Sequence, residues 1–357
     1  MRRFVAMLVW WLALWELLAR RRGWRGFSWG PGPAWLWRAP LALPLVRSLG
    51  SIRWLAALAL PSLLLHAAVA SIARRKLSPN RSLTPGSYPD RVVERVELIV
   101  PGGVVPGIAI APRGTCYGAV AVLHGSGCDK TYFLWRLAEA LLGEGLALLT
   151  IDLDGHGENG RPQTLAGATE GALAAVAWLR QRHAHVGLLG VSLGGCIAAR
   201  AAADGAGDAQ TRVDALALLE APPLLWFTAE DQWREGLRLL QPFCLDLLRD
   251  TTAYELVRVV ADTIAAQSAP RIVAEIGTVE LIWRLNVCGA LPQVTAPVLL
   301  LYGARDAIVP PWQARLVRAA RPDAAFISVA DASHLTLQLH PQAVAETAAW
   351  LRVTMTA

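Results

Sequence analysis

The chain has 357 residues, of which 54% are hydrophobic and 17% are charged. This composition excludes an intrinsically disordered chain, which combines low hydrophobicity with high charge. The net charge of +6 is concentrated in residues 1–76, which hold 12 of the 34 Lys and Arg residues but only one acid, Glu16. Residues 77–357 carry a net charge of −5, so the sequence excludes a uniformly basic, nucleic-acid-binding domain.

Residues 1–76 are predicted to be a hydrophobic, basic segment that anchors the chain to a membrane. They contain 8 of the 15 tryptophans, and Trp and Arg beside apolar runs are typical of a lipid interface. The apolar run at 54–73 has the roughly 20 residues that a membrane-spanning helix needs, whereas the run at 4–19 is shorter. We therefore expect N-terminal hydrophobic helices that contact membrane lipids.

Other interpretations of this segment stay open. A signal peptide over residues 1–19 is disfavoured, because three arginines follow at 20–22 and no A-x-A cleavage site is present. A pair of buried helices would also account for the apolar runs. A membrane-bound segment has three possible arrangements: a hairpin, a single span at 54–73, or a first helix that lies in the interface.

Residues 77–91 are rich in Pro, Ser, Asn and Gly, which predicts a linker. After it, strand-like and helix-like segments alternate. The predicted strands are 92–100, 107–111, 118–123, 146–153, 185–191, 214–219, 297–302 and 325–329, and the predicted helices are 132–143, 165–182, 193–203 and 341–352. The first two strands suggest an antiparallel pair. The later, continuously apolar runs predict an α/β fold with a doubly wound, mostly parallel sheet that helices cover on both faces.

Residues 224–292 interrupt this alternation and are predicted to form a mostly helical insertion. Apolar side chains recur in it at three- and four-residue spacing, which predicts an amphipathic helix. They are Trp233, Leu237, Leu240, Cys244, Leu247 and Leu248. The insertion either covers the edge of the sheet as a cap or extends the core.

The strongest motif is Gly-Val-Ser-Leu-Gly at residues 190–194, followed by Gly195. It lies between an apolar run and a helix-like segment, which is the context that a G-x-S-x-G turn requires. Such a turn holds its serine in a strained conformation, so the residues two positions away must lack bulk. Ser192 is thus a candidate nucleophile, and the Leu193 N–H at the helix N-terminus would face a developing negative charge. A chance match in a chain with 30 glycines is the alternative.

A second glycine-containing turn, His124-Gly125-Ser126-Gly127, follows the third predicted strand. The carboxyl ends of parallel strands meet at one edge of a sheet, where ligands bind. We therefore expect a backbone N–H at or near Ser126 to be a second donor to an oxyanion. An ordinary turn is the alternative, and His124 is predicted to have a structural role.

An acid and a histidine complete the candidate site. Asp306 follows the strand at 297–302, and Glu220, at the end of the preceding strand, is the alternative acid. His334 lies between the last strand and the last helix and is the predicted general base, with His340 as its rival. A carboxylate behind the histidine would orient it and stabilise its imidazolium form.

The order Ser192, Asp306, His334 is the order Ser…Asp/Glu…His of the α/β-hydrolases. On this order and its motifs, residues 92–357 resemble the α/β-hydrolase fold superfamily. The motifs are His124-Gly125-Ser126-Gly127, Asp154-Gly155-His156-Gly157, Gly190-Val191-Ser192-Leu193-Gly194, Gly303-Ala304-Arg305-Asp306 and Ala332-Ser333-His334.

The resemblance implies a serine hydrolase that cleaves a carboxylic ester or thioester through an acyl-enzyme on Ser192, without a metal or organic cofactor. An apolar cap beside a membrane anchor favours a small, hydrophobic acyl substrate. The alternatives are an acyltransferase that uses the same three residues and a catalytically inactive, membrane-tethered binding protein. An intact set of nucleophile, base and acid disfavours the inactive protein.

The chain contains five cysteines, an odd number without C-x-x-C spacing, so a zinc site or redox motif has no support. Free thiols favour a reducing compartment. We therefore expect a protein of the cell inner membrane whose catalytic domain faces the cytoplasm. A single span at 54–73 that obeys the positive-inside rule would place that domain on the other side, so the topology stays open.

Overall fold

The computed structural model describes residues 83, 85–228, 230–231, 234–235 and 272–357. They belong to one compact unit made of residues 80–253 and 272–357. The predicted anchoring segment and the apolar stripe of the insertion lie outside the described residues. Among the residues that are described, no helix is long and apolar enough to cross a membrane.

Nine strands of the described part form one sheet, in the order β1-β2-β3-β5-β4-β6-β7-β8-β9. The strands are β1 (Gly86–Ser87), β2 (Arg91–Val100), β3 (Gly103–Pro112), β4 (Gly118–Leu123), β5 (Leu146–Ile151), β6 (Val186–Val191), β7 (Ala215–Leu219), β8 (Val298–Gly303) and β9 (Ala325–Val329). All pairs within β4 to β9 are parallel. The pairs β1–β2, β2–β3 and β3–β5 are antiparallel. This arrangement confirms the predicted mostly parallel sheet.

Helices cover both faces of this sheet. They are α1 (Leu134–Gly143), α2 (Glu170–Arg180), α3 (Leu193–Asp204), α4 (Thr278–Leu285), α5 (Val287–Ala290), α6 (Pro311–Ala320) and α7 (Pro341–Thr356). Buried side chains of α2 to α6 share one hydrophobic cluster, and those of α1 and α7 share the other. Successive residues of β4 alternate between the two clusters, because neighbouring side chains of a strand point to opposite faces. Both faces are therefore apolar, as the continuous apolar runs predict.

Some elements differ from the sequence-based expectations. The two-residue strand β1 lies within the predicted linker 77–91 and pairs with Val92 and Val93 of β2. Helix α6 was not predicted. It buries Gln313, Ala314 and Val317, whereas the apolar Trp312 and Leu316 are exposed, so its apolar positions do not coincide with its buried face.

Candidate active site

Ser192 lies in a sharp turn between β6 and α3, with φ 52° and ψ −117°. Non-glycine residues rarely adopt such a conformation, which costs about 1–3 kcal/mol. A Cβ atom on Gly190 would lie 2.2 Å from the carbonyl oxygen of Gly194, and a Cβ atom on Gly194 would lie 2.4 Å from that of Leu123. Backbone therefore occupies the space that a side chain would need at both positions, as the motif predicts.

The turn brings Ser192 to His334 and Asp306. His334 Nε2 lies 3.1 Å from Ser192 Oγ, and His334 Nδ1 lies 2.8 Å from Asp306 Oδ2. The rival histidine, His340, contacts Asp331 instead, at 3.0 Å. The three predicted residues therefore form one hydrogen-bonded chain at the carboxyl edge of the sheet.

The Asp306 carboxylate is held by its own loop. Its Oδ1 atom accepts hydrogen bonds from the backbone N–H groups of Ile308 and Val309, at 2.8 and 2.7 Å. These two donors fix the orientation of the carboxyl group and leave Oδ2 directed at His334. Asp306 is 3% exposed, so water competes little for these bonds.

Glu220, the alternative acid, lies beside the same histidine. Its Oε2 atom is 3.6 Å from His334 Nδ1, and neither carboxyl oxygen has a hydrogen-bond partner among the described residues. Its backbone φ of 53° is strained. Burial, followed by the charges of Asp306 and Glu235, raises the pKa of Glu220 well above its usual range. The geometry therefore favours Asp306 as the charged partner of His334.

Electrostatics near His334 has two opposing contributions. Burial alone would lower its pKa, because it disfavours the imidazolium ion. The charge and hydrogen bond of Asp306, together with the charge of Glu235, outweigh burial and raise the pKa of His334 above its usual value. The site thus stabilises the protonated histidine that would form after proton transfer from Ser192.

The structure describes both residues whose backbone N–H groups are the predicted oxyanion donors. Leu193 is the first residue of α3, so its backbone N–H has no acceptor within the helix. On the opposite loop, a Cβ atom on Gly125 would lie 3.5 Å from the Cβ atom of Ser192, which puts the following residue, Ser126, close to the nucleophile. The Ser126 side chain is exposed, and its hydroxyl lies 3.3 Å from that of Thr278.

Glu220, Asp306 and His334 also form the only group of three potential metal-ligating side chains found among the described residues. His334 Nδ1 already bonds Asp306, and Nε2 faces Ser192. The contacts of the trio are therefore those of a histidine oriented by a carboxylate.

The comparison with protein families agrees with this geometry. The model of the family described as "Alpha/beta hydrolase family" matches residues 120–347. The chain belongs to the alpha/beta hydrolase family. The matched range contains Ser192, Asp306 and His334, so the family assignment and the hydrogen-bonded chain concern the same part of the protein.

Among curated proteins, this alpha/beta hydrolase is similar to two pimeloyl-[acyl-carrier protein] methyl ester esterases. The one from Pectobacterium carotovorum is 26% identical over 245 residues, covering 64% of this chain and 91% of that protein. The one from Serratia marcescens is 29% identical over 245 residues, covering 62% and 89%. These relatives confirm the predicted enzyme class, a hydrolase of the esterase type.

Among solved structures, the hydrolase is similar to a thermophilic esterase from Thermogutta terrifontis. The TM-score is 0.54 at 23% sequence identity, and the match covers 74% of this chain and 100% of that one. At this identity the similarity establishes the fold alone.

His124 of the hydrolase has a structural environment. Its Nδ1 lies 2.8 Å from the carbonyl oxygen of Gly125, and its Nε2 accepts the N–H of Leu153 at 3.1 Å. Burial lowers the pKa of His124 to about 4, so the ring is neutral at pH 7. The Nε2 contact connects the loop after β4 to the loop after β5, whereas the Nδ1 contact stays within the loop after β4, and neither of these contacts involves Ser192.

One residue near the site has no counterpart in the sequence-based prediction. The Glu235 carboxylate, which belongs to the insertion, contacts the loops that carry Asp306 and His334. No motif surrounds this residue, and its distance in sequence from both loops leaves no spacing signal. Sequence reasoning alone therefore had no means of selecting it.

Proposed function

We propose that the protein hydrolyses a carboxylic ester or thioester through an acyl-enzyme on Ser192. The observation that carries the proposal is the hydrogen-bonded chain Ser192–His334–Asp306, with distances of 3.1 and 2.8 Å. In this assignment, His334 is the general base and later the general acid, and Asp306 orients its ring. The N–H of Leu193 and the N–H at or near Ser126 form the oxyanion hole.

In the first half of the reaction, Ser192 Oγ attacks the carbonyl carbon of the substrate while His334 Nε2 accepts the hydroxyl proton. The electron pair of the C=O bond moves to oxygen, where the two backbone N–H groups stabilise it. When the tetrahedral intermediate collapses, the bond to the leaving group breaks. His334 gives its proton to the departing alkoxide or thiolate.

In the second half, a water molecule replaces the leaving group. His334 Nε2 accepts one of its protons while the oxygen attacks the acyl carbon, and collapse releases the free acid and returns the proton to Ser192. Asp306 stays ionised and holds Nδ1–H throughout. The net reaction consumes one ester and one water and produces one acid and one alcohol or thiol.

The relatives support an ester as the substrate, because those proteins are named methyl ester esterases. The proposal is tested with a panel of p-nitrophenyl esters whose acyl chains increase in length, and each ester is compared with the thioester of the same acyl chain. We expect free acid and leaving group in equal amounts, with higher kcat/KM for the more apolar chains. If the acyl group instead appears on an added alcohol and not on water, the protein is an acyltransferase.

We also propose that residues 1–76 attach the hydrolase to the inner membrane, with the catalytic domain facing the cytoplasm. The proposal rests on the Arg- and Trp-flanked apolar runs 4–19 and 54–73. After a carbonate wash, we expect the full chain to stay in the membrane pellet and a shortened chain beginning at Leu77 to appear in the supernatant. Release of the full chain would contradict membrane attachment. Protease protection in inside-out and right-side-out vesicles would identify the side.

A further inference from the structure

Glu235 lies in the insertion that follows β7, about 100 residues before His334 in the sequence, yet it contacts the catalytic loops. Its Oε1 atom accepts the backbone N–H of Ala307 at 2.8 Å, and its Oε2 atom accepts that of Leu335 at 3.4 Å. Glu235 is only 2% exposed. A single buried carboxylate therefore joins two loops that belong to different strands of the sheet.

The two donors occupy informative positions. Ala307 directly follows Asp306, and Leu335 directly follows His334, so each bond fixes the backbone beside one residue of the catalytic chain. The bond to the Ala307 N–H has an ordinary length of 2.8 Å, whereas the bond to the Leu335 N–H is longer, at 3.4 Å. The loops also contact each other through the Arg305 N–H, which donates to the carbonyl oxygen of Ala332 at 3.0 Å. Glu235 adds a connection from outside this pair of loops.

The position of Glu235 has an electrostatic cost. It places a carboxylate near Glu220 and thereby opposes the ionisation of that group. A neutral amide could accept one of the two N–H groups without this cost. A carboxylate at this position is explained if its negative charge stabilises His334, which becomes positively charged during the reaction, and if its two hydrogen bonds hold the loop of that histidine in place.

We propose that Glu235 is a positioning residue that holds the Asp306 and His334 loops in their catalytic arrangement and thereby links the insertion to the active site. This role rests on the proposed function of Ser192, His334 and Asp306. It assigns Glu235, a residue of the insertion after β7, a part in maintaining the distance between base and acid.

The test compares Glu235→Ala and Glu235→Gln with the wild-type full chain. Fluorophosphonate labelling rates, kcat/KM for a p-nitrophenyl ester from pH 5 to 9, and the thermal midpoint are measured for each. The matched control is Glu230→Gln, because Glu230 lies five residues earlier in the sequence and forms an exposed ion pair with Arg234 at 2.6 Å. This control is expected to behave as the wild type.

For Glu235→Ala, we expect labelling and kcat to fall about 100-fold, the cost of a misplacement of about 1 Å. Glu235→Gln should recover part of this loss, because its amide oxygen can still accept one N–H. The carboxylates facing His334 in the described structure are Asp306, Glu220 and Glu235. Removing the Glu235 charge lowers the pKa of His334, so the acid limb of the pH profile should move to lower pH in both variants.

Three results would overturn the proposal. The first is an unchanged labelling rate in Glu235→Ala. The second is a loss of activity that parallels a fall in the thermal midpoint, while the acid limb of the pH profile stays in place in both variants. The third is an equal loss of activity in Glu230→Gln. Failure of the proposed function is a separate observation, because wild-type labelling would then persist in Ser192→Ala. If the fluorophosphonate labels only Ser192 but reacts with Glu235→Ala as fast as with the wild type, the role of Glu235 is contradicted and the proposed function is not.

Discussion

Ser192→Ala is expected to reduce kcat for ester hydrolysis on the order of 10⁶-fold, the loss seen when a catalytic serine is removed from an intact triad. The variant lacks the Oγ atom that lies 3.1 Å from His334 Nε2, so no acyl-enzyme can form. Steady-state kinetics measures the loss directly. Labelling by a fluorophosphonate probe, followed by mass spectrometry of the modified peptide, identifies the serine that reacts.

The alanine side chain occupies the same strained turn, so the loss should not come from unfolding. We expect the thermal midpoint of Ser192→Ala to stay near that of the wild type. The matched control is Ser328→Ala on the edge strand β9, an exposed serine that should leave labelling and turnover unchanged. Equal labelling of the wild type and Ser192→Ala would show that another residue is the nucleophile.

The strands of the central sheet were predictable because each is buried on both faces. Such strands must be apolar at every position, which produces runs that the sequence displays without any periodicity. The run at 118–123 coincides with β4, and the other central runs differ from β5 to β8 by at most two residues at either end. Helix α6 was missed because the apolar Trp312 and Leu316 are exposed while Gln313 is buried, so the apolar pattern does not mark the buried face.

The nucleophile turn was predictable for a different reason. Neighbouring backbone atoms leave no space for a side chain at Gly190 and Gly194, so the geometry of the turn requires glycine at both positions of the sequence. The histidine and the acid have no comparable requirement on neighbouring residue types, because many side chains fit a loop. Strand-end position and chain order favour His334 and Asp306 in the sequence, and the distances in the folded chain compare them with His340 and Glu220.

Glu235 illustrates the limit of sequence reasoning more clearly. Its partners are backbone N–H groups of Ala307 and Leu335, which every residue except proline possesses. Neither the donors nor the acceptor thus imposes a residue pattern. The contact exists because the fold places Glu235 against the loops after β8 and β9, and tertiary placement of that kind has no local signal.

Substitutions of Asp306 and Glu220 show which of the two acids beside His334 orients the histidine. Asp306→Asn is expected to lower kcat on the order of 10⁴-fold, because an amide cannot hold the Nδ1–H tautomer or stabilise the imidazolium. Glu220→Gln should retain activity within a few-fold. Since burial and the charges of Asp306 and Glu235 raise the pKa of Glu220 well above its usual range, the environment favours the neutral form, and glutamine is a neutral substitute of similar size.

The double variant Asp306→Ala/Glu220→Gln shows how the two carboxyls depend on each other. The charge of Asp306 is one of the causes that keep Glu220 protonated, so its removal lowers the pKa of Glu220, which lies 3.6 Å from His334 Nδ1. At alkaline pH, Glu220 should then ionise in Asp306→Ala and restore part of the activity. The double variant should lack this recovery. A large loss in Glu220→Gln with little loss in Asp306→Asn would instead assign the acid to Glu220, and the 2.8 Å contact of Asp306 would then be structural.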